Sequence, residues 1–400
     1  MKSLRNLAPE NWGLVLSAFA SAYGVGLLGL WALPYLMGSM IDDLGIDEAQ
    51  AGLLLSAEFV FATVASLIVA PAMGRAPRRT LALVGVAIAV VANIFSANIQ
   101  DIYILTMMRC IAGIGAGLCL ASGNACVSSA ENPDRMAGQM NVLIVILFVG
   151  IMYSYAHVMS SFGLSGLFYA LAATQAAMLL FIPFMPQRPP AHHHAHHAHK
   201  PGRNLFSMVS VCMMTAAFFF AMRDAMGWSF VERVGINAGY DVEDLGLLFS
   251  AQAMAGIIGP ALAAIVGKRF GFGIPLFIGI IGSGLVSLGY VLSESSILIY
   301  SIAVMGITLT YFYTLAYITA LAAALDRQGR VAAAAGSFLI FGVAVGPAVS
   351  GVLVTTGGYS LVGWGIGVAV LITALAALVP LAALRREHQP IAPPVAESLT

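Results

Sequence analysis

Long apolar runs alternate with short polar turns along the whole chain, and the alternation repeats until twelve runs have been counted. The runs cover about 12–37, 49–71, 81–98, 103–127, 137–159, 164–185, 205–232, 243–266, 272–292, 296–322, 331–354 and 360–384. Each is about 20 residues long, enough for a helix to cross a hydrocarbon layer of about 30 Å. Helices satisfy their own backbone groups, which lipid requires. One polar stretch breaks the rhythm at the midpoint, Pro186 to Arg203, reading PQRPPAHHHAHHAHKPGR. The pattern predicts an all-α integral membrane protein with twelve transmembrane helices in two six-helix bundles. Residues 1–185 form the first bundle, 186–204 a His/Pro-rich linker, 205–386 the second bundle and 387–400 a tail.

Composition strengthens this reading. Hydrophobic residues make up 60% of the chain and charged residues 9%, where an ordinary soluble chain carries about 25% charged. No polar segment is long enough to fold alone. Lys2 and Arg5 precede the first run, which is too long for a cleaved signal and reads as an uncleaved span. Cys110, Cys119, Cys126 and Cys212 all fall inside apolar runs, without metal-ligand spacing or a disulfide framework. No HExxH, GxSxG or phosphate-cradling Gly-Lys loop is present, so neither an enzyme, a cofactor nor ATP drive is expected. No nucleic-acid surface is evident.

The zero net charge hides a strict pattern. Basic residues fill one set of alternate turns, among them Arg75, Arg78, Arg79, Arg135, Arg188, Lys200, Lys268, Arg269, Arg330 and Arg385, while the other set holds only Arg233. That bias predicts both termini and the central joint in the cytoplasm of a multi-pass plasma-membrane protein, a bacterial inner membrane protein. Acids show the reverse trend, with Asp42, Asp43, Asp47, Glu48, Asp101, Asp241, Glu243, Asp244 and Glu294 in the opposite turns.

An internal repeat supports two matched bundles. AGLLLSAEFV at 51–60 aligns with LGLLFSAQAM at 245–254, pairing Gly52 with Gly246 and Ser56 with Ser250. Continued without a gap, the alignment sets Arg75 on Arg269, and an acidic turn precedes each copy. Parallel repeats imply a site at their interface near the bilayer midplane, exposed by rocking one half on the other.

The turn APAMGRAPRR, Ala70 to Arg79, resembles the signature Gly-x-x-x-Asp-Arg-x-Gly-Arg-Arg of the major facilitator superfamily. Arg75, Arg78 and Arg79 fit, while Gly74 stands for the aspartate and Ala70 and Pro77 for the glycines. The second-half turn AIVGKRFG keeps Arg269 and Gly271 but has Lys268 at the acidic place. RCIAGIGAG in the fourth run, with Arg109, Gly113, Gly115 and Gly117, matches the family's arginine followed by a glycine-rich run. The resemblance implies two six-helix bundles joined by a cytoplasmic loop and working by alternating access. The Gly-Pro motif of drug–proton antiporters is missing from the fifth run, and a comparable GVAVGPAVSG lies in the eleventh. By themselves, Gly346 and Pro347 predict a local kink.

Four ionisable residues fall within the runs, away from their ends: Glu58, Arg109, Arg223 and Asp224. Glu58 and Arg109 lie at similar depths, about 15 and 12 Å from the nearest acidic turn at 1.5 Å per residue. We expect them to meet. Glu58, Arg109 and Asp224 are the proton-coupling candidates, against the competing role of a static ion pair. Neighbours in sequence, Arg223 and Asp224 point about 100° apart and are expected to be poor partners. Glu58 aligns with Gln252 in the repeat, so both are expected to face one central space. Tyr23, Asn124, Arg223, Gln252, Tyr313 and Tyr317 are the solute-binding candidates, the two tyrosines sharing a helix face at i, i+4. Packing is the competing role for the tyrosines. His157 is expected to be an interfacial histidine.

The sequence therefore predicts a monomeric secondary carrier in a lipid bilayer. It moves a small organic solute by alternating access with protons, in symport by preference. A metal-ion or drug exporter and a transporter-like sensor without net flux are the alternatives. The metal reading rests on His192, His193, His194, His196, His197 and His199, whose tract reads better as a solvated tether.

Overall fold

The computed structural model describes residues 11–73, 75–128, 130, 133–188, 204–267, 269, 271–326 and 329–387. The histidine tract lies outside these. Twelve α-helices carry the described chain: α1 (Trp12–Ala22), α2 (Leu28–Leu44), α3 (Glu48–Val69), α4 (Arg78–Ser96), α5 (Ile102–Ser128) and α6 (Pro133–Ala177), then α7 (Met208–Asn237), α8 (Val242–Ala255), α9 (Ile258–Val266), α10 (Gly273–Val291), α11 (Ile297–Leu325) and α12 (Arg330–Glu387). Three short 3-10 turns, Ala70–Ala72, Met178–Leu180 and Ile182–Phe184, follow α3 and α6. No strand occurs among the described residues.

Helices and crossings do not correspond one to one. Among the described residues nine helical stretches are long and apolar enough to cross a membrane. α6 doubles back at Gly163 and α12 at Gly357–Gly358, so each crosses twice. Gly163 and Gly358 have φ of 58° and 65°, a backbone region that only glycine enters without strain. Asp43 fixes the first of these corners by accepting from the Leu164 amide at 2.6 Å. The first crossing is split between α1 and α2, which brings the total to twelve.

Two crossings are broken near their middles, where a single run was expected. Between α1 and α2 the amide of Gly26 reaches back to the Ser21 carbonyl at 3.0 Å, overshooting the regular helical partner. The eighth crossing breaks at Gly256 and Ile257, between α8 and α9. Elsewhere the local signals read as written. Asp47 and Gln50 form a capping box at the start of α3, the D-x-x-Q form of that signature.

Glycine sets how closely α5 meets its neighbours. A Cβ on Gly113 would collide with the Glu58 carbonyl of α3, and one on Gly117 with the Ala62 carbonyl of the same helix. Gly115 packs in the same way on α4, against Gly85 and Ala89. Without a hydrophobic drive between helices in lipid, such close backbone packing is a main source of cohesion.

Among the described residues the apolar core is one large body on one side of the molecule and two on the other, with a small cluster of Met73, Ala121 and Ala125 beside them. Far from the central joint, a single cluster joins both halves, with Leu36, Tyr35 and Phe168 from the first and Trp228, Phe249 and Tyr300 from the second. On the joint side each half keeps its own cluster: Val15, Val86 and Met140 in the first, and Phe220, Leu276 and Leu321 in the second. We call these sides the far face and the joint face.

The basic turn at 70–79 works inside the first half. Arg78 donates to the Met73 carbonyl at 3.0 Å and to that of Ala125, at the end of α5, at 2.9 Å. Arg79 donates to the Met185 carbonyl at 2.6 Å. Cationic side chains thereby answer carbonyls where helices end, in keeping with the helix dipole. Arg75 and Arg269 are exposed.

Gly113→Leu forces α5 off a backbone carbonyl and should cost about 1–3 kcal/mol, read as a lowered unfolding temperature in detergent. Gly138→Leu, where an added Cβ meets nothing within 4 Å, should change it by less than about 0.5 kcal/mol.

Candidate functional site

The two halves meet along a seam on the far face, and the internal repeat builds that seam twice. Gly52 of α3 lies against the Pro347 carbonyl of α12, and its counterpart Gly246 of α8 lies against Ala156 and the Met152 carbonyl of α6. One turn on, Ser56 accepts from the Ala348 amide at 2.8 Å, while Ser250 donates to the Val149 carbonyl at 3.1 Å. The expected kink at Gly346–Pro347 is not seen, since α12 keeps helical backbone angles there; an amide beside the proline donates across the halves, and Ser350 donates to the Gly346 carbonyl at 3.0 Å. Further out, the Ala49 amide donates to Thr355 at 3.0 Å, and His157 approaches Glu243 at 3.4 Å.

α2 and α7 run side by side through this seam. The Trp228 indole donates to the Leu30 carbonyl at 3.0 Å. At the outermost level Arg233 grips both oxygens of Asp42, at 2.6 and 2.7 Å. Between these levels sits an aromatic layer. Phe148 and Tyr35 from the first half meet Trp228 and Phe249 from the second, with ring centroids 5.9–6.1 Å apart. The layer is buried and seals the centre from the far face.

Directly beneath the layer, toward the joint face, the halves enclose a cavity of about 100 Å³. Leu30, Trp31 and Phe148 line it from the first half; Asp224, Ala225, Trp228, Gln252, Ile307, Thr308, Tyr311, Phe312 and Val343 line it from the second. Both helix breaks lie close to this lining, one before Leu30 and one after Gln252. On the joint side the facing helices separate: Asn124 and Asn141 are exposed, and a Cβ on Gly336 would meet nothing within 4 Å.

Most of the lining is aromatic or aliphatic, with few polar atoms aimed inward. Gln252 accepts from the Thr308 amide at 3.4 Å, and its Nε2 has no hydrogen-bond partner. Asp224 is the one charged residue among the lining, its side chain about a fifth exposed. The cavity therefore presents one carboxylate, one amide donor and a wall of rings.

Both central arginines, Arg109 and Arg223, are turned away from it. Arg223 donates to the Ser283 carbonyl at 2.9 Å and to the hydroxyls of Ser287 and Ser283 at 2.6 and 3.1 Å, which anchors α7 to α10. It also lies 3.8 Å from Asp224, closer than a 100° separation on the helix suggested, because its long side chain folds back along α7. Arg109 meets Glu58 at 3.3 Å, donates to Ser96 at 2.6 Å and lies over the Phe168 ring at 4.5 Å. Glu58, Arg109 and Phe168 all belong to the first half.

The other candidates are dispersed. Gln252 lines the cavity, but Glu58, its repeat counterpart, faces Gly29 and Arg109 instead of the same central space. The ion pair accounts for that difference, since glutamine feels no such pull. Tyr23 stacks on Trp31, centroids 6.3 Å apart, one ring behind the cavity. Tyr313 and Tyr317 pack against each other with tilted rings and turn toward α9, where Tyr317 donates to the Gly267 carbonyl at 3.1 Å. Their neighbours Tyr311 and Phe312 line the cavity instead, as does Thr308. The i, i+4 pairing selected the helix but not the face. Glu232, at the seam, sits near the end of an apolar run, where charge is ordinary, so its place in the sequence does not single it out.

The family profile of the Major Facilitator Superfamily matches residues 14–231 and 209–399. No curated protein matched the sequence. Among solved structures, the nucleoside transporter NupG, as its D323A mutant, superposes with a TM-score of 0.69 at 16% identity, over 95% of this chain and 100% of that one. The D-xylose-proton symporter gives 0.69 at 14% identity, over 92% and 95%. A bacterial homologue of the human lysosomal transporter Spinster, in an inward-facing and unoccupied conformation, gives 0.68 at 15% identity, over 96% and 100%.

With the native cysteines replaced, Asn124→Cys should react rapidly with a water-soluble maleimide in detergent, and Ser39→Cys, 2% exposed in the seam, at least about tenfold more slowly. Equal rates would show that the far face is not the sealed one.

Proposed function

The chain belongs to the major facilitator superfamily and is a secondary transporter, and we propose that it carries a small amphipathic organic solute in symport with protons. The observation that carries the proposal is the cavity between the halves, closed above by the aromatic layer and parted below. Alternating access needs a site at that place, reached from one side at a time.

The chemistry of the lining narrows the solute. A carboxylate-bearing solute would need a free cation, which neither Arg109 nor Arg223 supplies. Both are committed to protein groups, and the cavity offers Asp224 in their place. A cation or hydrogen-bond donor suits Asp224, an acceptor suits the Gln252 amide, and an aromatic or apolar body suits Trp31, Trp228, Phe148 and Tyr311. Aromatic amines and nucleoside-like solutes meet all three conditions. Asp224 is also where solute and proton would compete or cooperate, whereas the Glu58–Arg109 pair is confined to one half. The basic turns orient the joint face to the cytoplasm, so the state described here opens inward, in a plasma membrane and as a monomer.

Proteoliposome uptake under an imposed inward proton gradient tests this, after a thermal-shift screen of aromatic amines, nucleosides, pentoses and aromatic carboxylates has supplied the solute. Asp224→Asn should abolish proton-driven accumulation, a loss of at least about tenfold, while the protein still folds. Accumulation by Asp224→Asn equal to wild type would remove Asp224 from the coupling. Stabilisation by the carboxylates alone would reverse the charge assigned to the solute.

A further inference from the structure

A third buried carboxyl lies at the seam, away from the cavity. Glu232 of α7 is 0% exposed, and neither of its carboxyl oxygens has a hydrogen-bond partner. It sits one helical turn beyond Trp228, between the Trp228–Leu30 and Arg233–Asp42 contacts that clasp α7 to α2. The fit is tight: a Cβ on Gly38 of α2 would collide with the Glu232 carboxyl. Glu232 is therefore buried by closure of the seam, and parting α2 from α7 would bring it to far-face water.

The nearest donors that have partners find them elsewhere, and none reaches its carboxyl. From α2 it is faced by Tyr35 and Asp42, from its own helix by Arg233, from α11 by Tyr300 and from α12 by Tyr359. Tyr35 donates its hydroxyl to the Met152 carbonyl at 2.8 Å, and Tyr300 donates to the Val231 carbonyl at 2.5 Å. Arg233 spends Nη1 on both oxygens of Asp42. A carboxylate closed into such a place loses its water and gains no donor, a costly exchange for a charge and a far smaller one for a neutral carboxyl.

We infer that Glu232 is the proton-binding residue of the far-face gate, and that the seam between α2 and α7 closes on its neutral carboxyl and opens on its carboxylate. A proton arriving from far-face water when the seam is open binds the carboxylate and permits closure. The transition to the state open at the joint face is thereby tied to the proton concentration on the far side. The inference concerns the gate and does not depend on the identity of the solute.

The test is the distance across the seam as a function of pH. Spin labels at Phe162→Cys and Leu298→Cys, both exposed at the far face and in different halves, report it in solute-free protein lacking the native cysteines. Raising the buffer from about pH 5 to about pH 9 should lower the closed-to-open ratio at least about tenfold, the effect of one pK unit of differential proton binding. Glu232→Gln should remain closed over the whole range. Asp224→Asn should keep the pH response, since it leaves the buried acid and the groups facing it in place. A wild-type ratio that does not change with pH overturns the inference, as does an unchanged response in Glu232→Gln. The proposed cavity site fails separately, through the uptake of Asp224→Asn.

Discussion

Inside this molecule a buried cation has to be answered by protein, because the hydrocarbon around it answers nothing. The two central arginines show how far that requirement reaches. Arg223 donates to Ser283, Ser287 and the Ser283 carbonyl, and Arg109 is held by Glu58, Ser96 and the face of Phe168, with its Nε left without a hydrogen bond. Each holds together helices of one half, and each is lost to the cavity. Satisfying the cations leaves an acidic residue, an amide and aromatic rings at the centre, so the chemistry offered to a solute is set by what the packing did not consume.

At the interface the contacts rest on small residues. Gly52 and Gly246 let backbones come together, and Ser56 and Ser250 place a hydroxyl one turn further on, so that both seams use the same pair of devices. At these points the halves hold together through backbone and hydroxyl groups, so opening them exposes groups that water can satisfy at once. An interface of large interlocked apolar side chains would not part so readily. The aromatic layer around Trp228 is the exception, and it lies where the centre has to be sealed.

Much of this architecture was legible in the residues. Runs of lipid-crossing length account for the twelve spans, and the Gly52/Gly246 and Ser56/Ser250 matches mark the two halves as repeats, without showing that these residues lie at the seam. RCIAGIGAG named the helix that packs through glycine, and depth alone brought Glu58 to Arg109. What stayed hidden was rotation about helix axes. In a span that is apolar all round, nothing in the periodicity tells whether Tyr311 or Tyr313 faces the centre, since lipid and core ask for the same residues. The i, i+4 rule pairs Tyr313 with Tyr317 correctly and is silent about their direction. The breaks at 23–27 and 256–257 were hidden for a related reason: glycine is common in membrane helices that do not break.

Three carboxyls in three settings show which groups are placed to couple a proton to movement. A ligand shifts an equilibrium between two conformations only if it binds them differently. Glu58 has its partner on a helix of its own half, so rocking one half on the other carries both along and leaves the pair as it was. Asp224 lies on the surface of one half and faces the other across the cavity, and its surroundings change with the solute and with access. Glu232 is enclosed by both halves at once, so its solvation differs most between a closed and an open seam. The strength of a buried ion pair is thus a poor guide to coupling. The better guide is whether the walls around the charge belong to one rigid body or to two.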